Sequence, residues 1–199
     1  MFSLTFRHKI RFLVTDVTKT ATQHSSRLAL SQQNENFSYS QILDHAHTFA
    51  QGLDKAGCRP GDRFCFLVDP GVEFVACLWA GWLRGLIAVP LCVKHPPKEI
   101  SFVLSNSQPK AVFGCEKWKD KLDEANEEHR IYNVACFQEI NGTRRHYDWK
   151  ATDPALMIYT SGTTGRPKGA VHTAGSLSAQ VKMLHHGWQY SSEDVILHW

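Results

Sequence analysis

The residues best able to do chemistry are crowded between Thr160 and Gly169. The run reads Thr160-Ser161-Gly162-Thr163-Thr164-Gly165-Arg166-Pro167-Lys168-Gly169. Its hydroxyls, on Thr160, Ser161, Thr163 and Thr164, donate to anionic oxygens without adding charge. Its glycines, Gly162, Gly165 and Gly169, let backbone amides approach an anion closely and form a concave nest. Lys168 adds a point charge suited to a polyphosphate, beside Arg166. Charge-assisted bonds of this kind contribute ~1.5–3 kcal/mol each. The run is not a Walker A loop, because Pro167 stands where that motif has glycine before its lysine. Composition alone leaves two readings open: a loop that wraps phosphates, or a flexible turn between strands.

The neighbouring elements set how such a loop would be held. Ala155–Tyr159 reads as an apolar strand entering it, Ala170–His172 as a second extended piece, and Ser176–Gly187 as a helix. Upstream, Ser38-Tyr39-Ser40-Gln41 fits a capping box that opens a helix with Ile42, Ala46, Phe49, Ala50 and Leu53, ended by Gly57. Arg63–Val68 reads as a buried strand. Asp69-Pro70 predicts an N-cap and a first-turn proline for a helix carrying Val75, Leu78, Trp79 and Trp82. Gly85 ends that helix, and Leu86–Leu91 is the next buried strand. Pro96-Pro97 opens a helix with Ile100, Val103 and Leu104 on one face. Lys110–Gly114 and Ile131–Ala135 are further strands, and the charge-dense run Lys117–Arg130 reads as a solvated helix. Asn141–Thr152 is a polar connection. Apolar strands alternating with helices predict an α/β fold, a mostly parallel sheet with flanking helices.

The whole composition narrows the class. The chain has 199 residues, of which 43% are hydrophobic and 21% charged, too apolar for a disordered chain. The net charge of +3 is spread along the chain and gives no electrostatic footprint for nucleic acid. Phe74–Val93 is the one stretch resembling a membrane span. Arg84 near its middle would cost ~2.5–3.5 kcal/mol at a bilayer centre, so no transmembrane segment is expected. The cysteines Cys58, Cys65, Cys77, Cys92, Cys115 and Cys136 contain no C-x-x-C pair and read as small buried hydrophobes. His45-x-His47 and His185-His186 do not place two imidazoles on one helix face, so no metal site is assigned. Trp79 and Trp82 read as packing residues.

The order of residues adds what composition leaves open. Tyr159 to Gly169 resembles the phosphate-loop signature of the adenylate-forming superfamily of acyl-CoA synthetases, luciferases and adenylation domains. The resemblance runs from about Val17 to Trp199, through Ser38-Tyr39, Ala88-Val89-Pro90-Leu91 and Ser107-Gln108-Pro109-Lys110-Ala111. Val89–Pro96 and Asp194–His198 look most like its mitochondrial malonyl-CoA synthetase branch. The resemblance implies the N-terminal part of that superfamily's large domain, over residues 17–199. It implies an ATP-dependent carboxylate–CoA ligase that forms an acyl-adenylate and then a CoA thioester, as part of fatty acid metabolism. ATP, CoA and a carboxylate such as malonate would be the small-molecule substrates, with Mg2+ accompanying the polyphosphate.

Thr160, Ser161, Gly162, Thr163, Thr164, Gly165, Arg166, Pro167 and Lys168 would bind the β- and γ-phosphates. The superfamily's adenine pocket, metal-linked Glu, ribose-binding Asp and catalytic Lys have no counterpart in these residues, so no catalytic residue is assigned. The alternative is a non-catalytic truncated isoform or partial gene product. Residues 1–16 read as a mitochondrial presequence or a disordered N-terminus, because Arg7, Lys9 and Arg11 precede the first acidic residue, Asp16. A cytoplasmic location is the alternative. Residues 1–20 fused to a fluorescent reporter are expected to direct it to mitochondria, and a purely cytosolic reporter would count against the presequence.

Overall fold

The computed structural model describes residues 14–126, 128–134, 145–160, 167–191 and 193–196. Its centre is a six-stranded sheet of β3 (Arg63–Leu67), β4 (Ile87–Pro90), β5 (Ala111–Gly114), β6 (Ile131–Asn133), β7 (Pro154–Thr160) and β8 (Lys168–Thr173). The spatial order is β6-β5-β3-β4-β7-β8. All neighbours are parallel except β7 and β8, which form an antiparallel hairpin. The expected α/β architecture is therefore present, with one antiparallel edge.

Phe64, Cys65, Phe66 and Leu67 of β3 have no exposed surface. A strand apolar on both sides must be covered on both sides. On one face, Phe64 and Phe66 pack with Phe49, Ala50 and Leu53 of α2 (Tyr39–Lys55) and with Cys77 and Ala80 of α3 (Val72–Leu83). On the other, Cys65 and Leu67 pack with Ile100, Val103 and Leu104 of α4 (Pro97–Ser107) and Leu122 of α5 (Lys119–Ala125). Outside α2 and α3 lie α1 (Val14–Gln23) and the antiparallel hairpin β1 (Leu28–Gln32)–β2 (Glu35–Ser38). The sequence reading did not anticipate this hairpin. Gln33 and Asn34 turn it with φ of 50° and 69°, and asparagine tolerates that conformation.

The expected helix boundaries hold where they are local. Ser38 Oγ accepts from the Gln41 amide at 3.3 Å, and Gln41 Oε1 accepts from the Ser38 amide at 2.8 Å, forming the capping box. Beyond α3, Gly85 takes φ of 71°, with Leu86 N–H donating to Gly81 O at 2.9 Å and Gly85 N–H to Trp82 O at 3.3 Å. These paired bonds close the helix end in a Schellman turn.

The start of α3 differs from expectation. Its N-cap is Gly71, not Asp69, so Pro70 falls outside the helix. The Asp69 carboxylate is instead engaged by Lys117 Nζ at 2.7 Å and Trp118 Nε1 at 3.2 Å. The first amide of α3, on Val72, donates to Gln32 Oε1 of β1 at 3.0 Å. Gly71 is needed there, because its φ is 154° and a Cβ would lie 2.2 Å from Gln32 Oε1.

The charge-dense run also differs. A 3-10 turn, Glu116–Trp118, precedes the short α5, and β6 begins at Ile131. The turn lets Leu122 and Ala125 drop onto the sheet while the charges face outward. Helix α6 spans Ala174–Trp188, two residues earlier than expected, because the Thr173 side chain caps it by accepting from the Ser176 amide at 3.1 Å.

Arg84 is buried, with 8% of its surface exposed. Its Nε and Nη2 meet the Asp54 carboxylate at 2.9–3.0 Å, and its Nη1 donates to Arg145 O at 2.9 Å. Trp79 is buried between α2 and α3, as expected of a packing residue. No helix among the described residues is long and apolar enough to cross a membrane. Of the cysteines expected in the core, Cys65 and Cys77 are buried, Cys58 and Cys115 are half-buried and Cys92 is exposed. Cys92 lies beyond the end of β4, where the chain leaves the sheet. Cys136 lies outside the described residues.

Gly71→Ala is expected to destabilise the chain by ~1–3 kcal/mol in urea unfolding, from backbone strain and loss of the Gln32 cap. Gln32→Ala removes the cap alone and should cost ~1 kcal/mol. Burial pushes the Cys65 thiol up to about 12 and the Cys77 thiol well above its ordinary value. At pH 8 Cys92 should therefore be labelled by a maleimide in the folded chain, while Cys65 and Cys77 react only on unfolding.

Candidate functional site: the mouth of the β7–β8 hairpin

Helix α3 follows β3 on one face of the sheet, and α4 follows β4 on the other. Strand order reverses between them, which opens a crevice at their carboxyl ends, where α/β sheets bind ligands. β7 is parallel to β4, paired through Ala88 and Leu156, so its carboxyl end joins the same edge. A cavity of about 370 Å3 opens there, lined by Val68, Phe74, Leu91, Cys92, His95 and Tyr159 among others. A cavity of about 410 Å3 lies beyond β5 and β6. It is lined in part by the Lys119–Asp123 ion pair, and β3 and β4 separate its strands from β7.

The described ends of the run read as a phosphate loop stand on this edge. Thr160 ends β7, Lys168 begins β8, and the two stand opposite each other in the hairpin register. Opposed residues of an antiparallel pair share a face, with Cα atoms about 4.5–5.5 Å apart. The hairpin thus returns the chain so that Lys168 stands beside Thr160 rather than a strand length away. Both are exposed, and Pro167 is half-buried. Ser161, Gly162, Thr163, Thr164, Gly165 and Arg166 lie outside the described residues.

One register step inward, Tyr159 opposes Gly169. A Cβ on Gly169 would lie 3.0 Å from Tyr159 Cζ and 3.2 Å from its hydroxyl, so the ring crosses the strand where a glycine leaves room. The Tyr159 hydroxyl donates to Asn106 Oδ1 in the last turn of α4 at 2.6 Å. Burial, followed by the nearby Cys65, raises the hydroxyl's pKa and keeps it a donor at neutral pH. The sequence reading did not single out Asn106, and nothing in its local sequence marks it.

The sheet reaches this edge through polar ties to α3. Trp82 Nε1 donates to Ala155 O at 3.0 Å, and Trp149 Nε1 donates to Trp82 O at 2.9 Å. Among the described residues, no group of three or more His, Cys, Asp or Glu side chains comes together. No protein ligand set for Mg2+ is therefore assigned. His47 packs edge-on against His146, with centroids 5.8 Å apart, while His185 and His186 lie in the last turn of α6.

The family described as AMP-binding enzyme matches residues 17–199. A mitochondrial malonate–CoA ligase, ACSF3 of Xenopus laevis, is 32% identical over 201 residues, covering 93% of this chain and 35% of that protein. The chain thus spans about a third of the length of the curated relatives it matches. VinN in complex with 3-methylaspartate shares the fold with a TM-score of 0.80 at 22% identity, over 92% of this chain and 53% of its own. A fatty acyl-adenylate ligase from L. pneumophila, in complex with acyl adenylate and pyrophosphate, does so with a TM-score of 0.79 at 24% identity, over 91% and 34%. Matched by that family's model over residues 17–199, the chain belongs to the AMP-binding enzyme family.

Proposed function

We propose that the chain is the phosphate-gripping part of an ATP-dependent carboxylate–CoA ligase. The observation that carries this reading is the register of Thr160 on Lys168 at the carboxyl edge of the sheet. That closure brings a hydroxyl and an ammonium to the two ends of one loop. In such a ligase a carboxylate oxygen attacks the α-phosphorus of ATP, the bond to the β-phosphate oxygen breaks, and pyrophosphate leaves. A CoA thiolate then attacks the acyl carbonyl and AMP departs.

In this reading the loop acts on the first step. The hydroxyls of Thr160, Ser161, Thr163 and Thr164 donate to β- and γ-phosphate oxygens, and Gly162 and Gly165 let the backbone close on them. Lys168, with Arg166 nearby, balances the charge that grows on departing pyrophosphate. Pro167 stiffens the return into β8 by fixing its own φ. Mg2+ would travel with the polyphosphate, and no step is derived through it. CoA is assigned to the second step without a site among the described residues.

Malonate is the proposed carboxylate and the mitochondrion the proposed location, on the likeness to malonate–CoA ligases. The basic N-terminal stretch adds a reason for the location. Residues 17–199 are proposed as the N-terminal part of the AMP-binding domain. Polyphosphate binding is the activity assigned to these residues, which span about a third of those relatives.

The 199-residue chain should bind Mg-ATP in calorimetry, and Lys168→Ala should weaken binding about tenfold or more, the loss of one charge-assisted contact. Equal affinity in Lys168→Ala would remove the phosphate-loop assignment. The same chain should show no malonate-dependent ATP–pyrophosphate exchange. Exchange above background would show that it carries the whole adenylation step.

A further inference from the structure

We propose that Tyr159 is a positioning residue for the phosphate loop, fixing the root of the β7–β8 hairpin to α4 through its hydrogen bond to Asn106. The inference rests on the phosphate-loop reading and deepens it. Four observations meet at this point. The Tyr159 hydroxyl and Asn106 Oδ1 are 2.6 Å apart, although the residues are separated by 53 positions. Tyr159 directly precedes Thr160, the first residue of the loop. Gly169, directly after Lys168, leaves the space that the ring occupies. Both ends of the loop are therefore adjacent to residues the ring touches.

The fourth observation is that Asn106 stands on a fixed support. Arg63 of β3 donates through Nε to Ser107 O, and through Nη2 to Gln108 O at 3.3 Å. Ser107 Oγ donates to Val103 O at 2.7 Å. The last turn of α4 is thus bound to the central strand, and the tyrosine passes that anchorage to the hairpin. The tie lies on the face of the sheet that α4 covers, since Tyr159 packs with the cluster of α4 and α5. Side chains alternate along a strand, so Thr160 and its partner Lys168 face the opposite side. Tyr159 thus borders the crevice from the α4 side, while Thr160 and Lys168 present their side chains on the other. Thr160 and Lys168 held in register before a ligand arrives leave less to be ordered on binding, which favours affinity.

The test compares the 199-residue chain with Tyr159→Phe, Asn106→Ala, Asn106→Asp and the double variant Tyr159→Phe/Asn106→Ala. Affinity for Mg-ATP and for inorganic tripolyphosphate is read by calorimetry, thermal midpoint by scanning, and backbone opening by amide exchange. Tyr159→Phe and Asn106→Ala should each weaken both ligands about fivefold, the worth of one neutral hydrogen bond. Asn106→Asp, which keeps the acceptor, should bind as the unaltered chain does. The double variant should bind no more weakly than either single variant, because one interaction is lost in all three. The thermal midpoint should stay nearly constant, which separates positioning from a general loss of stability.

Unchanged affinity in Tyr159→Phe, or losses that multiply in the double variant, would overturn the inference. Amide exchange without ligand separates it from the reading beneath it. Faster exchange at Thr160, Lys168 and Gly169 in Tyr159→Phe supports the tie whether or not ATP binds, and unchanged exchange there overturns it. If the unaltered chain binds neither ligand, the phosphate-loop reading falls by itself.

Discussion

The structure depends on one constraint, the burial of β3 on both faces. Fully burying a large apolar side chain contributes ~1.5–3 kcal/mol, and Phe64, Phe66 and Leu67 are all without exposed surface. Leaving either face open would forfeit that contribution. Coverage by α2 and α3 on one side and α4 and α5 on the other follows. Once successive crossovers take opposite faces, the strand order must reverse beside β3. That reversal makes the crevice at the carboxyl edge, so the place where a ligand could sit is a consequence of how the core is covered.

A second set of contacts brings β7 to that edge. The end of α3 offers polar groups to the segment that returns from residue 145. Arg84 reaches Arg145 O, Leu83 O accepts from the Tyr147 amide at 3.1 Å, and Trp82 bonds both Trp149 and Ala155. Arg84 is desolvated on the helix side, and its charge is met by Asp54 on α2, whose side chain remains 45% exposed. A buried ion pair adds little net stability, yet removing one partner strands the other. Its effect here is directional: together with the bonds of Leu83 and Trp82 it fastens the returning chain to the end of α3, from which β7 lies down beside β4.

Much of this was legible because it is local. The capping box at Ser38, the helix stop at Gly85 and the apolar runs of β3 and β4 are written within a few residues of where they act. The signature from Tyr159 to Gly169 is likewise contiguous, which is why a candidate site could be proposed from the sequence. Two of the failures, at Asp69 and Asn106, are cases where a distant partner decides. Asp69 has the chemistry of an N-cap, but Lys117 and Trp118 claim its carboxylate, and Gln32 from β1 takes over at the helix. The β1–β2 hairpin escaped because Gln33-Asn34 is a weaker turn signal than a glycine pair. Asn106 could not have been chosen by type or spacing, since its role arises only when α4 and β7 become neighbours.

Among the described residues, β8 pairs with β7 alone. Val171 on this strand is half exposed, and α6 beside it exposes Val181, Met183 and Trp188. An edge of this kind is a template for adding a strand from another molecule, and charged side chains are the usual deterrent. Lys168 is the one formally charged side chain on β8 apart from protonatable His172. The lysine proposed to grip phosphate is therefore also the charge that this strand presents at its border.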